Sequence, residues 1–482
     1  MNRSLSFLLA VLVAAAPLAA QRGTAPDRTG TMLKALDSRA PHYAEIAKQI
    51  WSFAELGYQE TKSSALLAGE LEQAGFTVRR GVAGEPTAFI AEYGSGKPVI
   101  GIMGEFDALP GLSQEASPTQ KAVAVGGAGH GCGHNLFGTA SAAAAISVKE
   151  WMIANKVQGL LRFYGTPAEE GGAGKVYMVR DGLFNDVDVV VVWHPGDRNG
   201  VAGSSTLANI SGKFRFHGIS AHAAAAPERG RSALDAVEIM DVAVNFMREH
   251  IPQDTRIHYV ITNGGRAPNV VPDFAEVYYV ARQNDMRILQ DIWERVQNAA
   301  KGAALATGTT YELEVTGAVY NVLPNEVLAR VQQKNLERVG GFAYTPEERA
   351  FAEKLQQTYL PGTIVPLEMT TKVEPLHMGG FQSASSDVGD VSWVVPTTEL
   401  SAATWVPGTP AHSWQAVAAG GMSIGAKGMM VAAKAMALTV GDLFLDPATI
   451  ASAKAELAER RGKDFAYKSA LADRKPALDY RK

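Results

Sequence analysis

The sequence contains one cysteine, Cys132, among its 482 residues, so no disulfide can form within the chain. It also lacks an excess of basic charge, because 45 lysines and arginines stand against 49 aspartates and glutamates. Proteins that bind nucleic acid need a basic face, which excludes nucleic acid as the main partner. The composition is that of an ordinary globular protein. The length suits two or three packed units rather than one core.

The N-terminus carries a short apolar run that no other part of the chain matches in character. A positively charged start, Met1-Asn2-Arg3, precedes an almost wholly apolar stretch at 5–20 that ends in small residues. A membrane helix needs roughly 20 apolar residues, so this run is typical of a secretory signal. We expect residues 1–20 to be a signal peptide cleaved near Ala20, with an uncleaved anchor as the alternative. The mature protein is then exported, periplasmic or secreted, and free of the membrane.

Apolar runs alternate with helix-like segments over much of the chain. The runs at 87–92, 99–103, 160–164 and 187–193 are typical of buried strands. We therefore predict an α/β catalytic domain, with a mainly parallel sheet covered by helices, from residues 21–210 and 321–482. The part from Ala451 onward is predicted to be a charged helix that packs weakly.

Residues 211–320 follow a different pattern. Strand, helix, two strands, helix and strand succeed one another, which is the order of a ferredoxin-like unit. We therefore predict that residues 211–320 form an α+β domain inserted into the catalytic domain.

Two segments carry side chains suited to metal chemistry. In Gly-His-Gly-Cys-Gly-His at 129–134, a turn permitted by glycine can aim Cys132 and His134 at one ion. Glu169 and Glu170 directly follow the strand at 160–164 and project in different directions. One carboxylate can bind a metal ion while the other faces the attacking water; a solvated acidic loop is the alternative.

Two further histidines extend this group. His194 ends a buried strand, at the edge where open α/β sheets bind ligands, and His412 lies in a loop before a helix. One catalytic zinc takes three protein ligands, so a larger set fits two ions about 3.5–4 Å apart. Zinc and manganese both suit these ligand types. Glu169 is then the candidate general base. The candidate ligands are Cys132, His134, Glu170, His194 and His412.

Together these motifs resemble a known family. The run Gly-Glu-Phe-Asp-Ala-Leu-Pro at 104–110, the segment 385–393 and the residues above are similar to the cocatalytic-metal amidohydrolases of aminoacylase and glutamate carboxypeptidase type. The similarity is to the branch with a cysteine ligand, which includes aminobenzoyl-glutamate and indole-acetyl-amino-acid hydrolases. It implies two divalent metal ions, the same five ligands, and Glu169 as base in cleaving the amide bond of N-acyl or N-aroyl amino acids. Glu105 stands where other branches have a histidine ligand, so it is left out of the ligand set, and Asp107 is expected to orient a ligand.

The resemblance also implies roles for the inserted domain. It would act as a lid and dimerise, with His222 helping to stabilise the tetrahedral intermediate, often across the dimer. Asn269 and Arg282 would hold the carboxylate of the substrate, and the planar guanidinium of arginine suits that task. The expected partners are a small amide substrate with a carboxylate and a second copy of the chain, in a homodimer or higher homo-oligomer.

Two other functions fit the same residues. Cys132 could act as a nucleophile with His134 or His194 as its base, in an amidase without metal. Alternatively, the chain could be an exported binding protein that captures acyl amino acids without turnover.

Overall fold

The computed structural model describes residues 29–481. The predicted signal peptide at 1–20 lies outside the described residues, so cleavage and export remain predictions. The helices within the described range are α1 (Gly30–Phe53), α2 (Thr61–Gln73), α3 (His134–Asn155), α4 (Gly174–Arg180), α5 (Ala233–Met247), α6 (Met286–Thr307), α7 (Glu326–Val339), α8 (Pro346–Gln356), α9 (Val388–Val394), α10 (Trp414–Gly420), α11 (Ser423–Leu445) and α12 (Pro447–Arg461). The strands are β1 (Thr77–Arg80), β2 (Phe89–Ser95), β3 (Val99–Glu105), β4 (Gly159–Thr166), β5 (Val189–Gly196), β6 (Gly200–Val201), β7 (Ala208–His217), β8 (Arg256–Asn263), β9 (Phe274–Gln283), β10 (Thr310–Val319) and β11 (Thr397–Ala403).

Seven strands form the larger sheet, in the order β1-β2-β4-β3-β5-β11-β6. The four central strands, β4, β3, β5 and β11, run parallel, whereas β1, β2 and β6 pair antiparallel at the two sides. Every residue of β3 is buried, as expected for a strand covered on both faces. The predicted α/β fold class is confirmed, and the sheet is mixed at its edges.

The longest apolar helix is part of this core. In the described chain, α11 is the one helix long and apolar enough to cross a membrane, but 83% of its most apolar window is buried inside the protein. It packs against α3, α1 and α7 and reaches β5 and β11. Its apolar character therefore serves internal packing.

The smaller sheet has four antiparallel strands in the order β10-β7-β9-β8. Burial alternates along β9, so one face of the sheet is covered, and α5 and α6 pack there. The chain order β7-α5-β8-β9-α6-β10 confirms the predicted β-α-β-β-α-β unit, which has its own core around Phe214, Tyr279 and Trp293.

The predicted helical tail is wrong beyond Arg461. Gly462 adopts a positive φ of 86°, which ends α12, and the chain continues in turns to Arg481. This segment does not pack weakly either, because Leu471 is only 2% exposed and belongs to the core of the smaller unit.

One glycine shows how closely α11 approaches the sheet. A Cβ atom added at Gly428 would lie 2.1 Å from the carbonyl oxygen of Ala403, whereas a Cβ at Gly69 in α2 would meet nothing within 4 Å. We expect Gly428→Ala to lower the free energy of unfolding by about 1–3 kcal/mol, because the backbone must move apart. Gly69→Ala should instead raise it by about 0.5–1 kcal/mol through helix propensity. Urea unfolding measures both; equal stability of the two variants would contradict the close packing.

Candidate metal centre

The parallel strands bring the candidate ligands to one edge of the larger sheet. Glu105 ends β3, Glu169 and Glu170 follow β4, and His194 lies near the end of β5. The chain leaving β11 reaches His412, and the loop after β3 reaches Cys132. Carboxyl ends of parallel strands share one edge, so residues far apart in sequence meet there.

The first group of donors is Cys132, His134 and His194. One potential ligand atom from each lies within 4.8 Å of the others, and the Sγ of Cys132 is 3.5 Å from the Nε2 of His194. Gly133 allows this approach, because a Cβ atom there would lie 2.7 Å from the ring of Pro195. The glycine-permitted turn predicted from the sequence therefore brings Cys132 beside the end of β5.

Hydrogen bonds orient both histidines of this group. The Nδ1 of His134 lies 2.8 Å from Asp107 Oδ1, and the Nδ1 of His194 lies 2.7 Å from the carbonyl oxygen of Pro195. We assign the ring proton to Nδ1 in both, since histidines that bind metal ordinarily donate their other N–H to such a group. The buried Nε2 of His134 has no hydrogen-bond partner. These Nε2 atoms are therefore left to face an ion.

The second group is Cys132, Glu170 and His412, again with ligand atoms within 4.8 Å. The Nε2 of His412 is 3.3 Å from Glu170 Oε1. The backbone N–H of His412 donates to the carbonyl oxygen of Gly131 at 2.9 Å, which joins the loop after β11 to the loop before α3. The two groups share Cys132, as a ligand between two ions would require.

Glu105, which the sequence analysis left out of the ligand set, lies inside the centre. Its Oε2 is 3.0 Å from the Nε2 of His134, and its carboxylate forms a third donor group with His134 and Glu169. Its Oε1 is 2.6 Å from Lys175, which is itself 2.7 Å from Asp387. Sequence reasoning missed Lys175 and Asp387. The one local signal was a lysine in the otherwise apolar start of α4.

The charges in this buried region call for cations. Burial would lower the pKa of Lys175, but Asp387 and Glu105 raise it, so the lysine is charged. Burial and the nearby carboxylates of Glu105 and Glu170 raise the pKa of Glu169 well above its usual range. One buried cation therefore faces a larger set of acidic groups, and divalent ions fit the donors present. These acidic groups are Glu105, Asp107, Glu169, Glu170 and Asp387.

A cavity of about 320 Å³ adjoins the centre. Glu169, Glu170 and Asp387 line one part of it, and Arg282 of β9 lines another. The Nε of Arg282 is buried and has no hydrogen-bond partner. The predicted arginine therefore lies in the same cavity as the predicted base, where it could pair with an anionic group.

His222 and Asn269 do not reach this cavity within one chain. They lie together on a loop of the smaller unit, where Ala223 N–H donates to the carbonyl oxygen of Asn269. The Nδ1 of His222 accepts from the N–H groups of Ala224 and Ala225 at 3.2 and 3.1 Å, which leaves its Nε2–H free to donate. Neither residue lines the cavity in the described chain.

Comparison with known proteins agrees with this centre. The chain is 44% identical over 447 residues to a p-aminobenzoyl-glutamate hydrolase of Escherichia coli (strain K12), covering 88% of this chain and 93% of that protein. The chain belongs to the M20 peptidase family. Residues 206–307 match the peptidase dimerisation domain of that family.

Other M20 relatives extend the comparison. The Xaa-Arg dipeptidase of Mus musculus is 30% identical over 437 residues, which cover 87% of this chain and 90% of that protein. A Bacillus subtilis protein, described as a dinuclear metal-binding peptidase from the M20 family, shares the fold with a TM-score of 0.57 at 17% identity. The match covers 84% of this chain and 99% of that structure. The present protein is therefore an M20 hydrolase of the amidohydrolase and peptidase type, as the motifs indicated.

The loop that carries Glu169 and Glu170 in this M20 hydrolase is held from several sides. Ala168 adopts a left-handed φ of 54°, and its N–H donates to Glu60 at 2.8 Å. The N–H of Glu170 donates to Asp107 Oδ2 at 2.8 Å, so Asp107 touches both this loop and His134. A non-glycine residue in this conformation costs about 1–3 kcal/mol, which the surrounding contacts must offset.

Lys175 should be essential to the fold of the centre. Lys175→Met leaves Glu105 and Asp387 buried without a counter-charge, so we expect the free energy of unfolding to fall by about 3–5 kcal/mol. The matched control is Lys97→Met, since Lys97 pairs with Asp188 at 3.1 Å but is 62% exposed. That change should cost less than about 1 kcal/mol. Urea unfolding of chelator-treated protein measures both; similar losses would show that the buried cluster is not held by Lys175.

Proposed function

We propose that this M20 hydrolase cleaves the amide bond of N-acyl or N-aroyl amino acids, and that p-aminobenzoyl-glutamate-like compounds are its substrates. The observation that carries the proposal is the convergence of Cys132, His134, Glu170, His194 and His412 beside a cavity lined by Arg282. The identity to the p-aminobenzoyl-glutamate hydrolase of Escherichia coli, over nearly the whole of that relative, supports the substrate class.

Two divalent ions, zinc or manganese, are the proposed cofactors. Two donor groups that overlap at Cys132 support a pair of ions rather than one. When bound, such ions polarise an amide carbonyl and make water more acidic. Glu105 is an additional donor that the same site offers.

The side chains of this chain perform the remaining steps. Glu169 is the proposed base that takes a proton from the attacking water and returns it to the leaving amine. Its raised pKa suits a group that must hold a proton between the two transfers. Arg282 would hold the carboxylate of the substrate through its guanidinium. Asp107 keeps the Nε2 of His134 directed at the centre.

The nucleophilic-cysteine alternative is disfavoured by the surroundings of Cys132. Burial raises the pKa of its thiol to about 12, so little thiolate exists unless a cation stabilises it. A binding protein without turnover is not supported either, because the chain is an M20 hydrolase.

We also propose that the smaller unit forms a homodimer. Its helix α5 exposes Val242 and Phe246 by 52% and 72%, and the edge strand β8 exposes Val260 by 55%. An exposed apolar edge strand is a surface that another strand can pair with. A second chain would then supply the donor of His222, together with Asn269, to the centre that one chain leaves without them.

Glu169→Gln should separate turnover from metal binding. We expect kcat for p-aminobenzoyl-glutamate to fall about 10²–10⁴-fold, because the base is lost, while elemental analysis finds unchanged metal content. Glu170→Gln is the matched control and should lose metal. Chelator should abolish wild-type activity, and zinc or manganese should restore it. Activity that resists chelation but is lost on alkylation of Cys132 would favour the nucleophilic cysteine instead.

The dimer is tested by charge on its apolar face. Val260→Lys should give a monomer in analytical ultracentrifugation, because a lysine at the edge strand opposes strand pairing. Leu360→Lys, at a residue 75% exposed outside the matched domain, should leave the mass unchanged.

Mixed dimers test the role of His222. Chains with His222→Ala and chains with Glu169→Gln should be nearly inactive alone and recover part of the activity when mixed, because one site of the mixed dimer keeps both groups. No recovery in a mixed dimer of confirmed mass would contradict a role across the interface.

A further inference from the structure

The segment after α12 returns across both units of the molecule. We name residues 462–481 the strap. The hydroxyl of Tyr467 donates to Asp390 at 2.6 Å, and the hydroxyl of Tyr320 donates to the carbonyl oxygen of Lys468 at 2.9 Å. Leu471 is buried in the core of the smaller unit. The first half of the strap is therefore a packed part of the structure.

The middle of the strap joins the smaller sheet to the helix that follows the Glu169–Glu170 loop. The guanidinium of Arg474 donates to the carbonyl oxygen of Thr316 in β10. Arg180 of α4 donates to the carbonyl oxygen of Arg474 at 2.6 Å, and the hydroxyl of Tyr177 donates to that of Lys475 at 3.3 Å. Thr316 also lines the cavity beside Glu169. The strap thus links the two sides of this cavity.

The strap ends on a candidate metal ligand. The Tyr480 hydroxyl donates to the carbonyl oxygen of Glu170 at 3.0 Å, and Arg481 Nη2 donates to the same oxygen at 2.8 Å. The ring of Tyr480 packs edge-on against Tyr58, and Tyr58 donates to the carbonyl oxygen of Gly172. Gly57 makes room for this contact, since a Cβ there would lie 2.1 Å from the Tyr480 hydroxyl oxygen.

Both backbone polar groups of Glu170 are therefore fixed. Its N–H is bound by Asp107, which also orients His134, and its carbonyl oxygen is bound by two donors of the strap. Two donors on one oxygen restrict rotation of the peptide group, and rotation there would swing the Glu170 carboxylate away from His412. Small displacements of this kind reduce catalysis strongly.

We propose that Tyr480 and Arg481 are positioning residues that hold Glu170 in its ligating orientation, and that the strap ties this orientation to strand β10 of the smaller unit. The inference rests on the proposed function, because it takes Glu170 to be a metal ligand.

The first test removes one hydrogen bond and nothing else. Tyr480→Phe keeps the ring against Tyr58 but loses the hydroxyl, so we expect metal affinity, measured by competition with a chromogenic chelator and zinc, to fall about 3–10-fold. The kcat of the zinc-loaded protein should fall by a similar factor with KM unchanged. Asp479→Ala, at an exposed neighbour, should change neither quantity.

The second test uses rescue and coupling. Arg481→Ala should also weaken zinc binding, and Arg481→Lys should recover part of it, because lysine can still donate. The double variant Tyr480→Phe/Arg481→Ala should differ from the sum of the single variants, since both donors share one oxygen. Thermal unfolding of each metal-free variant reports whether the fold itself has changed.

Each outcome decides the inference. Unchanged zinc affinity and kcat in Tyr480→Phe and Arg481→Ala would overturn it, and so would losses that follow thermal stability alone without rescue by lysine. If Glu170→Gln keeps full zinc affinity, the proposed function itself fails at this residue. If Glu170→Gln loses zinc but the strap variants do not, only the positioning role fails.

Discussion

The parallel pairing of four central strands is the constraint on which the rest of the molecule depends. Backbone hydrogen bonds set Glu105 opposite Thr166 and His194 opposite Ser401, so β3, β4, β5 and β11 end level with one another. Every loop that leaves these ends starts at the same edge of the sheet. The donors at positions 132 to 412 meet because the strands are in register.

The meeting of so many acidic groups has a cost that the surroundings offset. Lys175 compensates Glu105 and Asp387, and Asp107 accepts two hydrogen bonds. Carboxylates buried side by side repel, so this arrangement is stable with counter-charges and poorly stable without them. The left-handed conformations of Ala168 and His412 lie at the same place, as backbone strain at functional sites usually does.

The smaller unit serves the centre from two directions. Within one chain, Arg282 of β9 and Thr316 of β10 line the cavity. His222 and Asn269 lie on an exposed loop instead, beside an apolar face suited to a second chain. Assembly and the strap therefore address different parts of one problem, which is how the smaller unit is held in a defined relation to the larger sheet.

The sequence by itself determined the chemistry of the centre, since glycine-flanked Cys132 and His134, the Glu169–Glu170 pair and the strand-end His194 are local patterns. It also determined the two units through their periodicity. The start of α1 at Gly30 was not predicted, because Pro41 inside the helix suggested a later beginning, whereas buried Met32 and Leu36 stabilise the extra turns by packing. Only the tertiary structure decided that Lys175 meets Glu105 and Asp387, that the strap reaches Glu170, and that His222 stays outside. Those outcomes depend on long-range paths of the backbone, which no local pattern of residues records.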